Sequence, residues 1–470
     1  MDGKRKNNFS VWYNEILDKA QILDIRYPVK GLYVWFQYGF KIRRLVLENI
    51  RKILDSSGHE EVLFPLLIPD QEFAKEAKHI RGFENEVYWV THGGREPLNV
   101  KLALRPTSET AIYPMFSLWI RSHRNMPFRI YQVVNTFRYE TKHTRPLIRL
   151  REITTFAEAH TVHSTLDDAK IQVKEAISGY QEFFELLGVP YAISQRLDWD
   201  KFPGAEYTIA FDTIFPDGRT LQIATVHNLG QNFAKTFEIK FENKNGEQSY
   251  AYQTCYGISD RVIASTLVHH GDDSGLCLIP IIAPVQIVIV PIWFKDSKKD
   301  VDKVIKKLKE DLNEFRINID DRELRPGNKF YDWEVKGVPL RLEVGPAEIK
   351  KSEVIAVRRD TGTKIKISME NIAKDVKKQL DDITINLKSR AWSEFNDQIH
   401  DVTSIEELKS ILDGKGGIIR FEWCGNRDCA KALEVETGSN LIGILNEDGR
   451  GKCLRCNKES KCILQVGRTY

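Results

Sequence analysis

The chain has 470 residues, 42% of them hydrophobic and 29% charged, and its formal net charge at pH 7 is +3. This composition excludes a disordered or low-complexity chain and is typical of a globular protein. The chain is too long for one hydrophobic core, so roughly two to four domains are expected. The small net charge neither indicates nor excludes a nucleic-acid partner, because a local basic patch matters more than the sum of charges.

The N-terminal part of the sequence contains a helix signal followed by a strand signal. Residues 1–10 are polar and lack the apolar stretch of a signal peptide, so the sequence predicts a cytoplasmic protein. Apolar residues recur at helical intervals between Ile42 and Leu54, and Gly58 stands where a helix is expected to end. The apolar run that follows predicts a strand ending near Pro65.

Residues 100–275 have the pattern of a large antiparallel sheet. Strand-like runs alternate there with turn signals such as PDGR and NKNGE. Helical patterns at 110–122 and 165–187 are expected to interrupt the sheet.

The segment FRYETKHTRPLIRLREITTFAEAHT, residues 137–161, concentrates charge between apolar residues. Its flanking arms, 130–140 and 150–160, are rich in β-branched and aromatic residues, which predicts two antiparallel strands joined by a charged loop. The charged side chains expected to project from one sheet are Arg138, Glu140, Arg149, Arg151, Glu158 and His160. Such a density of opposite charges is costly unless a polyanionic or zwitterionic ligand completes the site.

The run LCLIPIIAPVQIVIVPIWF, residues 276–294, is apolar enough to suggest a membrane span. Its three prolines and Gln286 suit short buried strands and linkers better than a spanning helix. We therefore interpret the run as the end of one domain and the first buried strand of the next, and we expect no membrane association.

From residue 285 onward the sequence alternates strand and helix patterns. The runs that carry these patterns are 285–292, 299–315, 317–321, 328–337, 339–345, 352–359, 364–369 and 370–383. They predict a compact α/β domain with a mixed sheet. The predicted domains are therefore 1–283, 284–384 and 385–470.

Four of the seven cysteines form two close pairs in the last predicted domain. Cys424 and Cys429 lie in CGNRDC, Cys453 and Cys456 lie in CLRC, and 23 residues separate the two pairs. An odd number of cysteines in a chain without a secretory signal argues against a disulfide framework. Two thiolate pairs fit a closed, structural Zn²⁺ site, with unliganded thiols as the alternative. Cys462, in the same predicted domain, belongs to neither pair.

Three further motifs, in order along the chain, carry a resemblance. Pro65 in EVLFPLL, Arg138 with Glu140 in FRYE, and Gly257 with Arg261 in GISDR are similar to motifs 1, 2 and 3 of class II aminoacyl-tRNA synthetases. The finer pattern resembles the prolyl-tRNA synthetase family, of the archaeal and eukaryotic-like type. That pattern comprises RPTSE, TRPLIRLREITTFAEAHT, KFPGAEYT, ATVHNLGQNF, CYGIS, DDRELRPGNKF and GVPLRLEVGP. The resemblance covers nearly the whole chain.

The resemblance implies a fold and a reaction. It implies an α+β catalytic domain with the large antiparallel sheet of class II synthetases, followed by an α/β anticodon-binding domain and a small C-terminal zinc-binding α+β domain. Such a protein activates L-proline with ATP to prolyl-adenylate and transfers it to the 3′ end of tRNA(Pro). The expected cofactors are ATP, Mg²⁺ and structural Zn²⁺, and the expected assembly is a homodimer formed through motif 1.

The ATP site implied by the match is rich in arginine. Guanidinium groups are needed because the proline carboxylate and the α-phosphate repel each other. Arg138 and Arg261 are the expected catalytic residues, at the α- and γ-phosphates, with Arg261 at a helix start. The complete expected ATP set is Arg138, Glu140, Arg149, Arg151, Gln222, Thr225, Ser259 and Arg261.

The proline site implied by the match combines carboxylates with an apolar wall, since proline is a cationic amine on a small ring. Its expected residues are Thr107, Glu109, Arg138, Phe156, Glu158, His160, His227 and Cys255. A tryptophan is common in the family at or near Phe156, so the sequence departs from the pattern there. Taken singly, Phe156 is typical of a core residue and Glu158 of a surface charge, and Cys255 has the alternative role of a nucleophile.

The expected anticodon-reading residues are Lys329, Arg341 and Glu343. Two rival interpretations remain at this stage. A threonyl-type class II synthetase would select its substrate with a catalytic zinc, yet neither Cys255 nor Cys277 pairs with a histidine at ligand spacing along the sequence. A synthetase-like RNA-binding protein without catalysis is the second, and the intact Arg138, Glu140 and Arg261 argue against it.

Overall fold

The computed structural model describes residues 4–75, 86–141, 143–293, 296–446 and 448–470. The helices before residue 275 are α1 (Phe9–Lys19), α2 (Gln37–Ser56), α3 (Asp70–Ala74), α4 (Glu109–Trp119), α5 (Leu166–Leu187), α6 (Asn232–Thr236) and α7 (Arg261–His270). The strands of the same part are β1 (Leu23–Asp24), β2 (Val34–Trp35), β3 (Glu60–Glu61), β4 (Leu67–Pro69), β5 (Trp89–Gly93), β6 (Glu96–Leu104), β7 (Phe128–Phe137), β8 (Glu152–His163), β9 (Ala192–Gln195), β10 (Tyr207–Ile214), β11 (Arg219–Gly230), β12 (Lys240–Glu242), β13 (Gln248–Tyr250) and β14 (Tyr252–Ile258).

The main sheet of this part runs in the order β9–β10–β11–β14–β8–β7–β3. All its pairs are antiparallel except β7 with β3, which is parallel. Helix α5 packs across β11 and β14, and its residues Tyr180, Phe183 and Phe184 are buried in the core beneath the sheet. The opposite face is left to line a cavity. This arrangement confirms the predicted α+β domain with a large antiparallel sheet.

The helix boundaries agree closely with the sequence pattern. Thr165 accepts a hydrogen bond from the Asp168 backbone at 3.1 Å and caps α5. Helix α2 ends at Ser56, and Gly58 follows with a φ of +79°, a conformation that glycine adopts without strain. The predicted strand after α2 is present as β3, but its predicted end near Pro65 is wrong. Strand β3 ends at Glu61, and a single backbone hydrogen bond, from the Val62 N–H to the Tyr131 carbonyl, extends it.

The charged segment is also arranged differently from the prediction. Strand β7 ends at Phe137 and β8 begins at Glu152, so the connection is longer than its sequence pattern suggests. Glu158 and His160 project from β8 as expected. Arg138, Glu140, Arg149 and Arg151 belong to the connection and not to the strands, because the chain there is held by local bonds such as Arg138 N–H to the Arg151 carbonyl at 2.9 Å.

The second unit is a mixed α/β sheet, as predicted. Its elements are β15 (Ile287–Pro291), α8 (Lys298–Asp311), β16 (Ile317–Ile319), α9 (Pro326–Val335), β17 (Leu340–Val344), α10 (Pro346–Lys350), β18 (Glu353–Arg358) and β19 (Lys364–Ser368). The strand order is β16–β15–β17–β18–β19, with β15 parallel to both neighbours and the remaining pairs antiparallel. The apolar run 276–294 contributes a 3₁₀ turn, Pro280–Ile282, and β15. No helix within the described ranges is long and apolar enough to cross a membrane.

The last unit joins the first through a shared sheet. Its elements are α11 (Ile372–Asn396), β20 (Ile399–Asp401), α12 (Ile405–Asp413), β21 (Ile418–Trp423), α13 (Arg427–Thr437), β22 (Asn440–Asn446) and β23 (Cys462–Thr469). Strands β20–β21–β23–β22 continue the main sheet past β9, and β23 also pairs with β11 in parallel. The predicted boundary between residues 384 and 385 falls inside α11, and the three domain limits remain predictions.

Candidate active site

A cavity of about 310 Å³ lies over β8, β14, β11 and β10. Its lining includes every residue predicted for the ATP and proline sites except Arg151. These residues are Thr107, Glu109, Arg138, Glu140, Arg149, Phe156, Glu158, His160, Gln222, Thr225, His227, Cys255, Ser259 and Arg261. Residues separated by as many as 154 positions, from Thr107 to Arg261, therefore face one space.

Strand register gives the cavity floor its pattern. On β8, Phe156, Glu158 and His160 alternate with core residues and share one face. Cys255 on β14 pairs directly with His160 on one side and with His227 of β11 on the other. Gly257, two residues along, pairs with Glu158 and Thr225 in the same way. Because Gly257 has no side chain, the floor stays open between Glu158 and Thr225.

A β-bulge in β11 aims two further residues into the cavity. Phe211 pairs with Ala224 and Asp212 pairs with Gln222, so Ile223 is an extra residue in the strand. Regular alternation would send Gln222 and Thr225, three positions apart, to opposite faces. With the bulge, both line the cavity together with His227.

Two buried carboxylates mark one end of the cavity. Glu158 accepts hydrogen bonds from Ser108 Oγ, from Gln132 Nε2 at 2.8 Å and from His160 Nε2 at 3.3 Å. Burial alone would raise its pKa, but these donors hold the pKa of Glu158 below the ordinary value. The pKa of Glu109 is raised, first by burial and then by the nearby Glu158 charge, against the Thr107 hydroxyl that donates to it. This end is built to receive a cation.

Aromatic rings and a neutral histidine flank the carboxylates. Phe156 lines the cavity from β8, and the Phe202 ring lies 4.6 Å from the His227 ring, centroid to centroid. Burial, with a smaller effect of His160 and Arg196, lowers the pKa of His227 to about 3. His227 is therefore uncharged at neutral pH, and its Nδ1 lies 2.9 Å from the Thr208 hydroxyl. The apolar wall thus has two phenylalanines.

Three guanidinium groups mark the other end. Arg261 is the first residue of α7, and its Nε and Nη1 donate to the carbonyls of Ile148 and Gln222 at 3.0 and 3.2 Å. Burial, followed by repulsion from Arg138 and Arg149, lowers the pKa of Arg261 to about 10. Arg138 is held by its Nε, which donates to the Pro106 carbonyl at 3.1 Å. These backbone bonds hold like charges together where an anion would neutralise them.

Arg151 supports the loop instead of lining the cavity. Its Nε and Nη2 donate to the Glu140 carbonyl at 3.2 and 3.1 Å, and its guanidinium lies 4.1 Å from the centre of the Tyr139 ring. The residue therefore fixes the backbone that carries Glu140. Asp260 has a comparable task, because its carboxylate accepts from the Thr154 N–H at 2.7 Å and ties the start of α7 to β8.

Sequence reasoning missed several lining residues, chiefly Arg196, Asp200, Lys201, Phe202 and Thr208. Part of a signal was present, since Lys201 and Phe202 lie in the quoted run KFPGAEYT. Arg196 gave none, because its role depends on distant partners. Its Nη2 donates to Asp212 at 2.8 Å and to Gln222 Oε1 at 2.9 Å, and its Nη1 donates to the Ile442 carbonyl of β22. The Gln222 amide nitrogen is left for the cavity.

The residues predicted to read an anticodon lie in the second unit. Arg341 and Glu343 share a face of β17 and pair at 3.0 Å, and the Arg341 guanidinium lies 4.1 Å from the centre of the Phe330 ring. Lys329 is buried on α9, and its Nζ donates to the Asp320 carbonyl at 3.0 Å. Lys329 therefore contacts its own domain, whereas Arg341 and Glu343 form a paired polar group beside an aromatic ring.

The four cysteines of the last unit converge. Cys424 and Cys456 sulfurs lie 3.5 Å apart, Cys429 and Cys453 sulfurs lie 3.7 Å apart, and all four lie within 4.8 Å of one another. The Asn426 side chain accepts from the Cys429 N–H at 3.0 Å and so fixes the first pair at the start of α13. Four thiols in a compact group fit a tetrahedral metal ion.

The fold and the cavity define the catalytic core of a class II aminoacyl-tRNA synthetase. Residues 88–270 match the family model for the tRNA synthetase class II core domain (G, H, P, S and T). Residues 286–379 match the model for the anticodon binding domain, and residues 405–470 match that for the prolyl-tRNA synthetase C-terminal domain.

Relatives extend this match over the whole chain. It is 54% identical over 460 residues to the proline–tRNA ligase of Methanothermobacter thermautotrophicus, covering 97% of this chain and 95% of that one. It is 61% identical over 414 residues to that of Methanocaldococcus jannaschii, covering 87% and 91%. The Giardia lamblia prolyl-tRNA synthetase in complex with prolyl-adenylate superposes with a TM-score of 0.95 at 38% identity, covering 99% of both chains. The chain belongs to the prolyl-tRNA synthetase family, which confirms the resemblance seen in the motifs.

Replacing Arg196 by Met tests the buried link between β9, the ATP-side residue Gln222 and β22. Arg196 and Asp212 side chains are only 8% and 4% exposed, so Arg196→Met leaves a buried, unpaired carboxylate. We expect the free energy of unfolding to fall by about 3–5 kcal/mol. Urea denaturation followed by tryptophan fluorescence measures the change.

The double variant Arg196→Met/Asp212→Asn is the matched control, because it removes the charge together with its partner. It should recover much of the lost stability. Equal midpoints for wild type and Arg196→Met would contradict the assigned role of the pair.

Proposed function

We propose that this chain activates L-proline with ATP to prolyl-adenylate and transfers the prolyl group to the 3′ end of tRNA(Pro). One observation carries the proposal: the cavity is electrically polarised, with Glu109 and Glu158 at one end and Arg138, Arg149 and Arg261 at the other. A cationic amine and a polyphosphate fit these two ends, and the reacting carboxylate and α-phosphate then meet between them.

In the first step a carboxylate oxygen of proline attacks the α-phosphorus of ATP, and the bond to the departing pyrophosphate breaks. Arg138 contacts the α-phosphate and the proline carboxylate, since it lies between the carboxylate end and the other arginines. Arg261 and Arg149 contact the outer phosphates. Their charges offset the repulsion between the proline carboxylate and the α-phosphate, and they stabilise the charge that develops on the phosphate in the transition state. Glu140 accepts from the adenine amino group, and Gln222, Thr225 and Ser259 hold the nucleotide.

Proline enters with its amine toward Glu109, Thr107 and Glu158 and its ring against Phe156 and Phe202. Neutral His227 and the buried Cys255 close the pocket without adding charge. In the second step the terminal ribose hydroxyl of tRNA attacks the activated carbonyl carbon, the bond to AMP breaks, and AMP leaves with the former carboxylate oxygen. No covalent link to the protein is needed, so Cys255 acts as a lining residue.

In the described part of the chain, the arginine end of the cavity has no group of three convergent ligands for the Mg²⁺ that is expected with ATP. Within the described ranges, the groups of three or more convergent metal ligands are the four cysteines and Glu109 with His160 and Cys255. Neither lies at the arginine end, and the Asp260 carboxylate accepts from Thr154 there. Mg²⁺ needs only one or two carboxylates beside the phosphate oxygens, so it would neutralise phosphate charge alongside the arginines without a dedicated group of protein ligands.

Replacing Arg138 by Ala tests the electrostatic core of the proposal. Loss of one positioned donor to a developing charge costs about 3–4 kcal/mol, or roughly 10²–10³-fold in rate. Proline-dependent exchange of pyrophosphate into ATP measures the loss. Arg44→Ala, at an exposed residue of α2, is the matched control and should keep wild-type exchange. Exchange within about threefold of wild type in a folded Arg138→Ala variant would contradict the proposed role of Arg138.

The second unit supplies tRNA recognition in this proposal. Proline anticodons share two guanines, whose amino and imino groups are donors that a carboxylate accepts. Arg341 uses Glu343 Oε1, while Oε2 lies 3.9 Å from Lys364 and remains more available. Glu343 is thus the candidate guanine acceptor, Arg341 holds it and a base or phosphate oxygen, and the buried Lys329 supports the domain.

A tRNA(Pro) with both anticodon guanines replaced should be charged at least about tenfold less efficiently, because hydrogen bonds to a charged acceptor contribute about 1.5–3 kcal/mol. Pyrophosphate exchange without tRNA should stay unchanged. Glu343→Gln should shrink the difference between the two tRNAs. Equal charging of both tRNAs by the wild-type protein would contradict guanine recognition.

We propose that Cys424, Cys429, Cys453 and Cys456 hold one structural Zn²⁺. Four thiolates complete the tetrahedron and leave no open position for chemistry. Metal analysis should find one zinc per chain, and Cys453→Ser should abolish it and destabilise the last unit. Cys462→Ser is the control, because Cys462 lies outside the convergent group and should retain the metal. A metal-free, folded wild-type protein would refute the site.

The chain is also proposed to act as a cytoplasmic homodimer formed through motif 1. Leu63 in this region is 81% exposed, and Leu66 and Leu67 are 38% and 40% exposed, which leaves an apolar strip beside α2. We expect Leu63→Glu to convert dimer to monomer in sedimentation velocity. Val435→Glu, at an equally exposed apolar residue of α13, should remain dimeric. A dimer unaffected by Leu63→Glu would place the interface elsewhere.

A further inference from the structure

The carboxylate end of the cavity contains a group of side chains with a second chemistry. Glu109, His160 and Cys255 are all buried, and one ligand atom from each lies within 4.8 Å of the others. The Cys255 sulfur lies 4.0 Å from Glu109 Oε1. His160 and Cys255 are direct cross-strand partners of β8 and β14, so their proximity is set by the sheet and not by a loop.

A thiolate, an imidazole and a carboxylate are the donors that Zn²⁺ and Co²⁺ prefer. A tetrahedral ion with bonds of about 2.0–2.3 Å keeps its ligand atoms roughly 3.3–3.8 Å apart. The Cys255–Glu109 separation of 4.0 Å lies just above this range, and the other two separations are at most 4.8 Å. The fourth position would face the cavity and take water, which is the arrangement of an open site.

The surroundings of His160 suit a metal ligand. Its Nδ1 lies 3.0 Å from the Tyr113 hydroxyl and its Nε2 lies 3.3 Å from Glu158 Oε2. Whichever nitrogen binds the ion, the other keeps a hydrogen-bond partner that fixes the ring, as is usual for ligating histidines. The second carboxylate, Glu158, adds negative charge beside the ion.

We propose that Glu109, His160 and Cys255 form a binding site for a thiophilic divalent cation such as Zn²⁺, and that this ion competes with the amino acid for the pocket. Binding releases the Cys255 thiol proton to solvent and leaves a thiolate on the metal. The competition follows from shared space, because Glu109 is also the proposed partner of the proline amine. That second half rests on the proposed function, whereas the metal site does not.

Co²⁺ is the probe for the test, because a cobalt–thiolate bond gives a ligand-to-metal charge-transfer band. The full chain, as purified with its C-terminal cysteine group loaded with Zn²⁺, is titrated with Co²⁺ in buffer without thiols or chelators. We expect a band in wild type that Cys255→Ser abolishes. Cys277→Ser, at a buried cysteine outside the cavity, is the matched control and should keep the band.

A second variant tests the site independently, in case Cys255→Ser does not fold. Glu109→Gln keeps the shape of the side chain and should weaken Co²⁺ binding by at least about tenfold, a loss that even an indirect partner of a metal ligand can cause. Absence of a band in wild type, an equal band in Cys255→Ser, or a band lost in Cys453→Ser but kept in Cys255→Ser would each overturn the site.

Added proline should remove the band. This measurement tests the competition with the amino acid separately from the metal site. A band that forms, depends on Cys255 and Glu109, and persists in saturating proline would uphold the metal site and overturn the competition with the amino acid. Displacement by proline supports both. The readout is binding, so it does not require the loaded protein to be active.

Discussion

The pairing register of β8 with β14 is the constraint on which the site depends. It places Glu158 opposite Gly257 and His160 opposite Cys255, while the intervening residues Ala157 and Ala159 are buried in the core. A slip of one residue would turn every one of these side chains to the other face. The core side therefore fixes the register, because burying the two alanines there costs far less free energy than burying the polar Glu158 and His160 side chains in their place. The bulge at Ile223 then corrects the phase of β11 so that Gln222 and Thr225 join the same face.

The cavity is expensive to build without its ligands, and its protein contacts show how the cost is limited. Arg138 and Arg261 donate to backbone carbonyls, which orient the guanidinium groups without neutralising their charge. At the other end Glu158 receives three donors, and Glu109 receives the Thr107 hydroxyl and, at 4.0 Å, the Cys255 thiol. The two ends are therefore held in position before substrate arrives. In the proposed reaction, that preorganisation lets positioning and electrostatics lower the barrier.

Where local patterns carry the information, the residues that the sequence predicts for the site line one cavity. Arg138, Glu140, Gly257 and Arg261 lie in short motifs, and period-two alternation places Phe156, Glu158 and His160 on one face. The sequence prediction failed where information is non-local. Arg151 has the same charge as Arg149 and lies two residues away, yet it donates to the Glu140 backbone. The reason is that the chain makes a turn between Arg145 and Arg149, where the sequence pattern does not show one. Likewise Cys255 and His160 are 95 positions apart in sequence, and only strand pairing makes them neighbours.

The last unit, which the sequence predicts as a separate domain, shares its sheet with the first unit. Strand β22 extends the main sheet at β9, and β23 lies beside the start of β11. Two polar links follow the same route. Arg196 joins the Ile442 carbonyl to Asp212 and Gln222, and the Tyr470 backbone oxygen accepts from Arg149 Nη2 at 2.9 Å while its ring lies 4.9 Å from Arg145. Both links end on residues proposed to hold ATP. The cysteine-containing unit is therefore joined to the arginine end of the cavity by short chains of hydrogen bonds.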